Sequence, residues 1–117
     1  MRVLVCGSRD WTDPEPILRE LRALPPGEVV VIHGAAQGAD TIAGVAARHL
    51  QFRVEVYPAD WKRYGRAAGP IRNRQMLLVG RPDVVLAFHR DIDASSGTKD
   101  MVRQARRAGV PVRVFAA

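Results

Sequence analysis

The chain has 117 residues, enough for one ordinary domain, and its 47% hydrophobic content can fill a single core beneath a central sheet. Its formal net charge is +6, and every basic residue except Lys62 and Lys99 is arginine, whose planar guanidinium suits phosphate and carboxylate, so anionic partners are expected. No stretch approaches the roughly 20 apolar residues that span a bilayer and Val3–Cys6 is too short for a signal-peptide core, so a soluble, cytoplasmic protein with no membrane role is expected.

Arg2–Cys6 is apolar and β-branched and closes on Gly7, as a buried first strand does. Ile17, Leu18, Leu21 and Leu24 then recur at helical spacing, with Asp13 as cap, Pro14 at the first helical position and Pro25-Pro26-Gly27 as the stop. Val29–Ile32 reads as a second strand, and Ile42, Val45, Ala46, His49 and Leu50 mark the helix behind it. Arg53–Tyr57 forms a third strand, Pro70–Val79 a helix ended by Gly80, and Asp83–Phe88 a fourth strand. Met101, Val102, Ala105 and Ala108 make the apolar face of a last helix, which Gly109 and Pro111 stop before the strand Val112–Phe115. Five strands alternating with four helices predict an α/β, three-layer, Rossmann-like domain with a parallel sheet, because each right-handed crossover returns the chain to the same edge.

Cys6, the lone cysteine, reads as a small buried apolar residue, and His33, His49 and His89 stand at no metal-ligand spacing, so no metal or obligatory cofactor is expected. In an open parallel sheet, ligands bind outside the strand carboxyl ends. Four segments meet there: Gly7-Ser8-Arg9, His33 to Asp40, Tyr57 to Trp61, and His89 to Thr98. In the second, Gly34 and Gly38 let the backbone approach a ligand, with Ala35 and Ala39 beside them and the next helix offering free N–H groups to a phosphate. The spacing matches neither a Walker A loop nor a full dinucleotide fingerprint, and Asp40 serves equally as a helix cap or a ribose ligand. Ser95, Ser96, Gly97 and Thr98 suggest a second anion cradle at a helix start, where Ser95 or Ser96 also reads as a cap.

Between the cradles, Trp61 to Arg74 interleaves two aromatic rings with arginines, a composition suited to a base face and a phosphate, in a nucleotide or a single-stranded nucleic acid. The alternative has Trp61 and Tyr64 anchor the loop while Arg63, Arg66 or Arg74 pair with Asp60 or Asp83. Arg19, Arg22, Arg103, Arg106 and Arg107 read as solvated outer helix faces.

The segments Val5 to Trp11, His33 to Asp40, Tyr57 to Trp61, Gly69-Pro70-Ile71-Arg72-Asn73 and Ser96-Gly97-Thr98, in that order, resemble the SLOG superfamily, most closely its YspA-like, YpsA-related branch. The resemblance implies a sensor of nucleotide-derived ligands. The chain is also similar to the LOG phosphoribohydrolases in Arg72 followed by Met76 and in Gly97-Thr98, but the position of their catalytic glutamate falls on Met101, with Asp100 one place early and about 100° around the helix. It resembles the DprA-type proteins, which bind single-stranded DNA, in Gly7-Ser8-Arg9, Gly34 to Asp40, Arg72-Asn73-Arg74 and Ser96-Gly97.

These readings together predict a crevice for a mononucleotide or ADP-ribose-like ligand. Gly34, Gly38, Ala39, Ser96, Gly97 and Thr98 would cradle phosphate, Arg72 would neutralise it with Asn73 as a further ligand contact, and Asp40 or Asp60 would hold a ribose hydroxyl. Gly7, Ser8 and Arg9 would close one side, and Trp61 would stack on a base. If the chain is an N-glycosidic hydrolase, Arg72, Asp60 and Asp100 are the catalytic candidates; single-stranded nucleic acid is the third partner class. Apolar Ile71, Leu77, Leu78 and Val79 exceed what one buried face needs, and a homodimer is expected.

Overall fold

A computed structural model describes residues 1–117. Its strands are β1 (Arg2–Gly7), β2 (Val30–His33), β3 (Arg53–Val56), β4 (Val84–Phe88) and β5 (Val112–Phe115). Its helices are α1 (Glu15–Arg22), α2 (Ala39–His49), α3 (Trp61–Tyr64), α4 (Ala68–Leu78) and α5 (Gly97–Arg107). The five strands pair in parallel in the order β3-β2-β1-β4-β5. The chain therefore winds outward from β1 in one direction, returns, and winds outward in the other, which leaves a crevice above β1 and β4 where the order reverses.

Strand periodicity sets the layers. Val3 and Val5 point to one side of β1, into a core shared with Ile17 and Leu21 of α1 and Ala43 and Ala47 of α2. Leu4 and Cys6 point to the other, against Met76 of α4 and Met101, Val102 and Ala105 of α5. The outer strands β3 and β5 are only partly covered, as edge strands are, whereas β1 and β4 are buried on both faces.

Some sequence expectations shift. Pro14, expected as the first helical residue, is instead the cap position of α1, and Asp13, one residue before it, accepts from the Glu15 N–H at 3.0 Å. A short helix, α3, precedes α4, because the Asp60 carboxylate caps it through the Arg63 N–H at 3.2 Å. A 3-10 turn, Gly65–Ala67, runs from it into α4, which starts at Ala68 with Pro70 tolerated in its first turn. Val45, at 62% exposure, and His49 lie on the solvent side of α2, and Ala108 follows α5 on the surface, so these three leave the core predicted for them. No helix is long and apolar enough to cross a membrane.

Candidate functional site

The loops that leave the strand carboxyl ends enclose a cavity of about 830 Å³. Gly7, Ser8 and Arg9 line it after β1, Gly34, Ala35 and Asp40 after β2, and Trp61 at the start of α3. Arg72 and Asn73 of α4 and Ser96, Gly97 and Thr98 at the start of α5 complete the predicted set. Asp10 also lines the cavity, as do Arg66 and His89, which the sequence placed in the loops around the crevice without a ligand contact of their own. The position of His89 directly after β4, beside the switch point, was the available signal.

The two glycine turns differ in what their N–H groups do. In the first, the carboxylate of buried Asp40 folds back and accepts from the Gly34 N–H at 2.8 Å, and the N–H groups of Ala36 and of Asp40 itself also face it. The nest of amides predicted for a phosphate thus already holds an anion supplied by the chain. The Ala35 N–H donates to His33 Nδ1 at 3.0 Å and the Ala39 N–H to the Ser8 carbonyl at 3.1 Å. Gly38 has φ of 79°, and a Cβ there would overlap the carbonyls of Ser8 and Arg9. Gly38 and Ala39 therefore lock the β1 loop to the start of α2 behind the cavity wall and do not line the cavity, contrary to the phosphate contacts expected of them.

The second turn stays open. Ser95, rather than Ser96, is the cap: its Oγ accepts from the Thr98 N–H at 3.0 Å. The N–H groups of Ser96 and Gly97 find no acceptor in the protein, and nothing lies within 4 Å of where a Gly97 Cβ would stand. Free amides at the first turn of an 11-residue helix carry the positive end of its dipole toward the cavity.

Arg72 and Asn73 join the two turns. Arg72 Nη1 donates to the Gly34 carbonyl at 2.5 Å and its Nε to Asn73 Oδ1 at 3.1 Å. Asn73 Nδ2 in turn donates to the Gly97 carbonyl at 3.3 Å and to Asp100 at 2.9 Å. A side chain at Gly34 would strike the Arg72 guanidinium, so that glycine makes room for the arginine. Two of five guanidinium N–H donors are committed within the protein, which leaves the others for the cavity.

The electrostatics follow burial. Burial raises the Asp40 pKa to about 6 against the pull of the surrounding amides and of Arg72. Burial lowers that of Arg72, with Asp40 acting against it. The thiol of Cys6, at the cavity floor, is pushed far up by burial, which makes it an inert apolar group, as expected. Burial and the charges of Arg48 and Arg72 lower the pKa of His33, which stays neutral with Nδ1 accepting and Nε2 buried without a partner beside Gly44.

Two acidic candidates fall outside the cavity. Asp60 caps α3, and the Asp100 carboxylate is held by Asn73 and by Gln104 at 2.8 Å. Met101, at the position of the hydrolase glutamate, is buried against β1 and β4 and touches the cavity floor. Trp61 is 50% exposed, with its ring over Gly69, and Tyr64 is exposed with the Arg63 guanidinium 5.1 Å from its ring centre. Neither ring anchors the loop to the core, and none of Arg63, Arg66 and Arg74 pairs with a carboxylate. No three His, Cys, Asp or Glu side chains cluster as a metal site would.

Strand order and switch-point crevice define a doubly wound, Rossmann-like domain. The pattern of the family described as YspA, cpYpsA-related SLOG family matches residues 1–64, and the chain belongs to that family. It is 40% identical over 123 residues to the gene 61 protein of Mycobacterium phage D29, an alignment covering 97% of this chain and 95% of the phage protein. The solved structure of DNA processing protein A (DprA) from Streptococcus pneumoniae is similar in fold, with a TM-score of 0.57 at 18% identity. That match covers 98% of this chain but only 59% of the pneumococcal one.

Proposed function

We propose that this chain binds a nucleotide or nucleotide-derived ligand, of mononucleotide or ADP-ribose type, with its phosphate at the start of α5. Membership in the SLOG family and the DprA-like fold support nucleotide- or nucleic-acid-related binding in general. The observation that carries the finer reading is the pairing of free Ser96 and Gly97 amides with Arg72 across one cavity of about 830 Å³. Such a volume suits a ligand of nucleotide size. Arg9 and Arg66 add positive charge to the lining of the same cavity, and the exposed Trp61 ring offers a base a stacking face. Ser8, Thr98 and Asn73 supply polar groups around the phosphate.

A thermal-shift screen across nucleoside mono- and diphosphates and ADP-ribose tests this, because a ligand selective for the native state raises stability by mass action. At least one compound should raise Tm, and Arg72→Ala should erase the rise. No shift with any compound would reject the reading.

One observation favours a second, hydrolytic reading: Asp40 lines the cavity with a pKa near 6, where a carboxyl can exchange protons near neutral pH. Incubation with nucleoside monophosphates should then release free base, and Asp40→Asn should abolish it. Base release no greater than a protein-free control would remove this option.

The reading extends to a cytoplasmic homodimer. Ile71, Leu78 and Val79 form an exposed apolar stripe along α4, whereas Leu77 packs onto the core. Light scattering should give twice the chain mass, and Leu78→Glu should reduce it to a monomer.

A further inference from the structure

A second groove, of about 510 Å³, lies away from the crevice, between the outer face of α5 and edge strand β5. Lys99, Arg103, Arg106 and Arg107 line it, with Val102 and Val114 as apolar floor. These cations stand at positions i, i+4, i+7 and i+8, so they form one row on one helix face, about 12 Å from end to end by helical rise.

The row is not explained by the fold. None of the four pairs with a carboxylate, and the one acidic residue in the groove, Asp93, bridges to none of them. On the opposite face of the same edge, by contrast, Arg113 is neutralised by Glu20 at 3.1 Å. Like charges three and four residues apart repel and weaken the helix. The helix dipole favours Arg106 and Arg107 in the last turn but opposes Lys99 in the first. What a line of uncompensated cations matches is a line of anions at similar intervals.

We infer that this groove binds the phosphate backbone of a nucleic acid strand, at a surface separate from the nucleotide crevice. A single phosphate needs one or two donors and has no use for a row. Arginine suits phosphate through its planar fork, and no aromatic ring lines the groove to read bases, so the contact is with the backbone and indifferent to sequence.

Fluorescence anisotropy with a labelled oligodeoxythymidylate, titrated with the whole chain from about 50 to 200 mM salt, tests the inference. Binding should weaken with salt along a slope near −3 on log–log axes if all four cations meet phosphates of a single strand. The double variant Arg103→Ala/Arg107→Ala should flatten the slope to about −1.4, and Arg103→Lys/Arg107→Lys should keep it. Arg72→Ala and a large excess of mononucleotide should leave it unchanged, because they act on the other site. Binding to a duplex at a slope near −0.9 per phosphate would also support the groove. No anisotropy change at the lowest salt would overturn the inference, as would binding that survives the double alanine variant and disappears in Arg72→Ala.

Discussion

The two glycine turns look alike as sequence, yet the fold uses them in opposite ways. The turn after β2 is closed on itself: Asp40 occupies its amides, Arg72 fills the space beside Gly34, and Gly38 presses on the β1 loop. The turn before α5 presents Ser96 and Gly97 amides that nothing in the protein satisfies. An internal carboxylate in one cradle orients the loop, whose Gly34 carbonyl accepts from Arg72, so that the other cradle and the guanidinium face the same space. Preorganisation and binding are thus divided between two turns of similar composition.

Exchanging the glycines separates these roles most sharply. Gly38→Ala combines a left-handed backbone with overlap against the Ser8 and Arg9 carbonyls, and should lose about 3 kcal/mol or more of stability in denaturant unfolding. Gly97→Ala meets nothing within 4 Å and should change stability by less than about 0.5 kcal/mol. Equal losses in the two variants would erase the distinction drawn between the turns.

Removing the bridge comes next in size. Arg72→Ala should weaken nucleotide binding by about 2 kcal/mol, roughly thirtyfold, measured by calorimetry, since it deletes a charge-assisted donor. An affinity within a factor of about two of the parent would show that the guanidinium serves only the loop.

Asp40 gives the comparison a pH signature. Its folded pKa of about 6 lies above that of an unfolded aspartate, so the folded state binds more protons between pH 4 and 6 and loses stability as pH rises through that window. Asp40→Asn should remove that loss and gain on the order of 2 kcal/mol at pH 7 relative to its difference from the parent at pH 4. His33, whose pKa is lowered, acts in the opposite sense to Asp40 but equally in parent and variant, so the difference curve isolates Asp40. A pH-independent difference would contradict the burial of a charged carboxylate.

The smallest effect is expected at Trp61. Half exposed, it should cost little stability as Trp61→Ala but about 1 kcal/mol of affinity for a ligand with a base, and none for inorganic phosphate. A loss shared by both ligands would assign the ring to loop order instead.

Much of this was legible in the residues because the signals were local and periodic. The runs Val3–Cys6 and Val85–Phe88 are too uniformly apolar for anything but central parallel strands, and the order of the loops followed from right-handed crossovers. The edge strand β3 was found through its β-branched residues despite half its face being exposed. What escaped were properties that depend on distant partners. That Asp40 would turn back onto Gly34 rather than outward to a ribose depends on how deeply α2 seats against β1. That Gly38 serves close packing was hidden because its partner, the β1 loop, lies about thirty residues away in the chain. The cap at Asp60 was readable, and weighting it as a helix start would have recovered α3.

Amide chemical shifts of the 15N-labelled chain, followed while a nucleoside monophosphate is added, probe the division of labour most directly. Ser96 and Gly97 should move in a saturable way, while Gly34 and Ala36, bound to Asp40, stay nearly still. Large saturable shifts at Gly34, Ala36 and Gly38, with Ser96 and Gly97 unmoved, would contradict it.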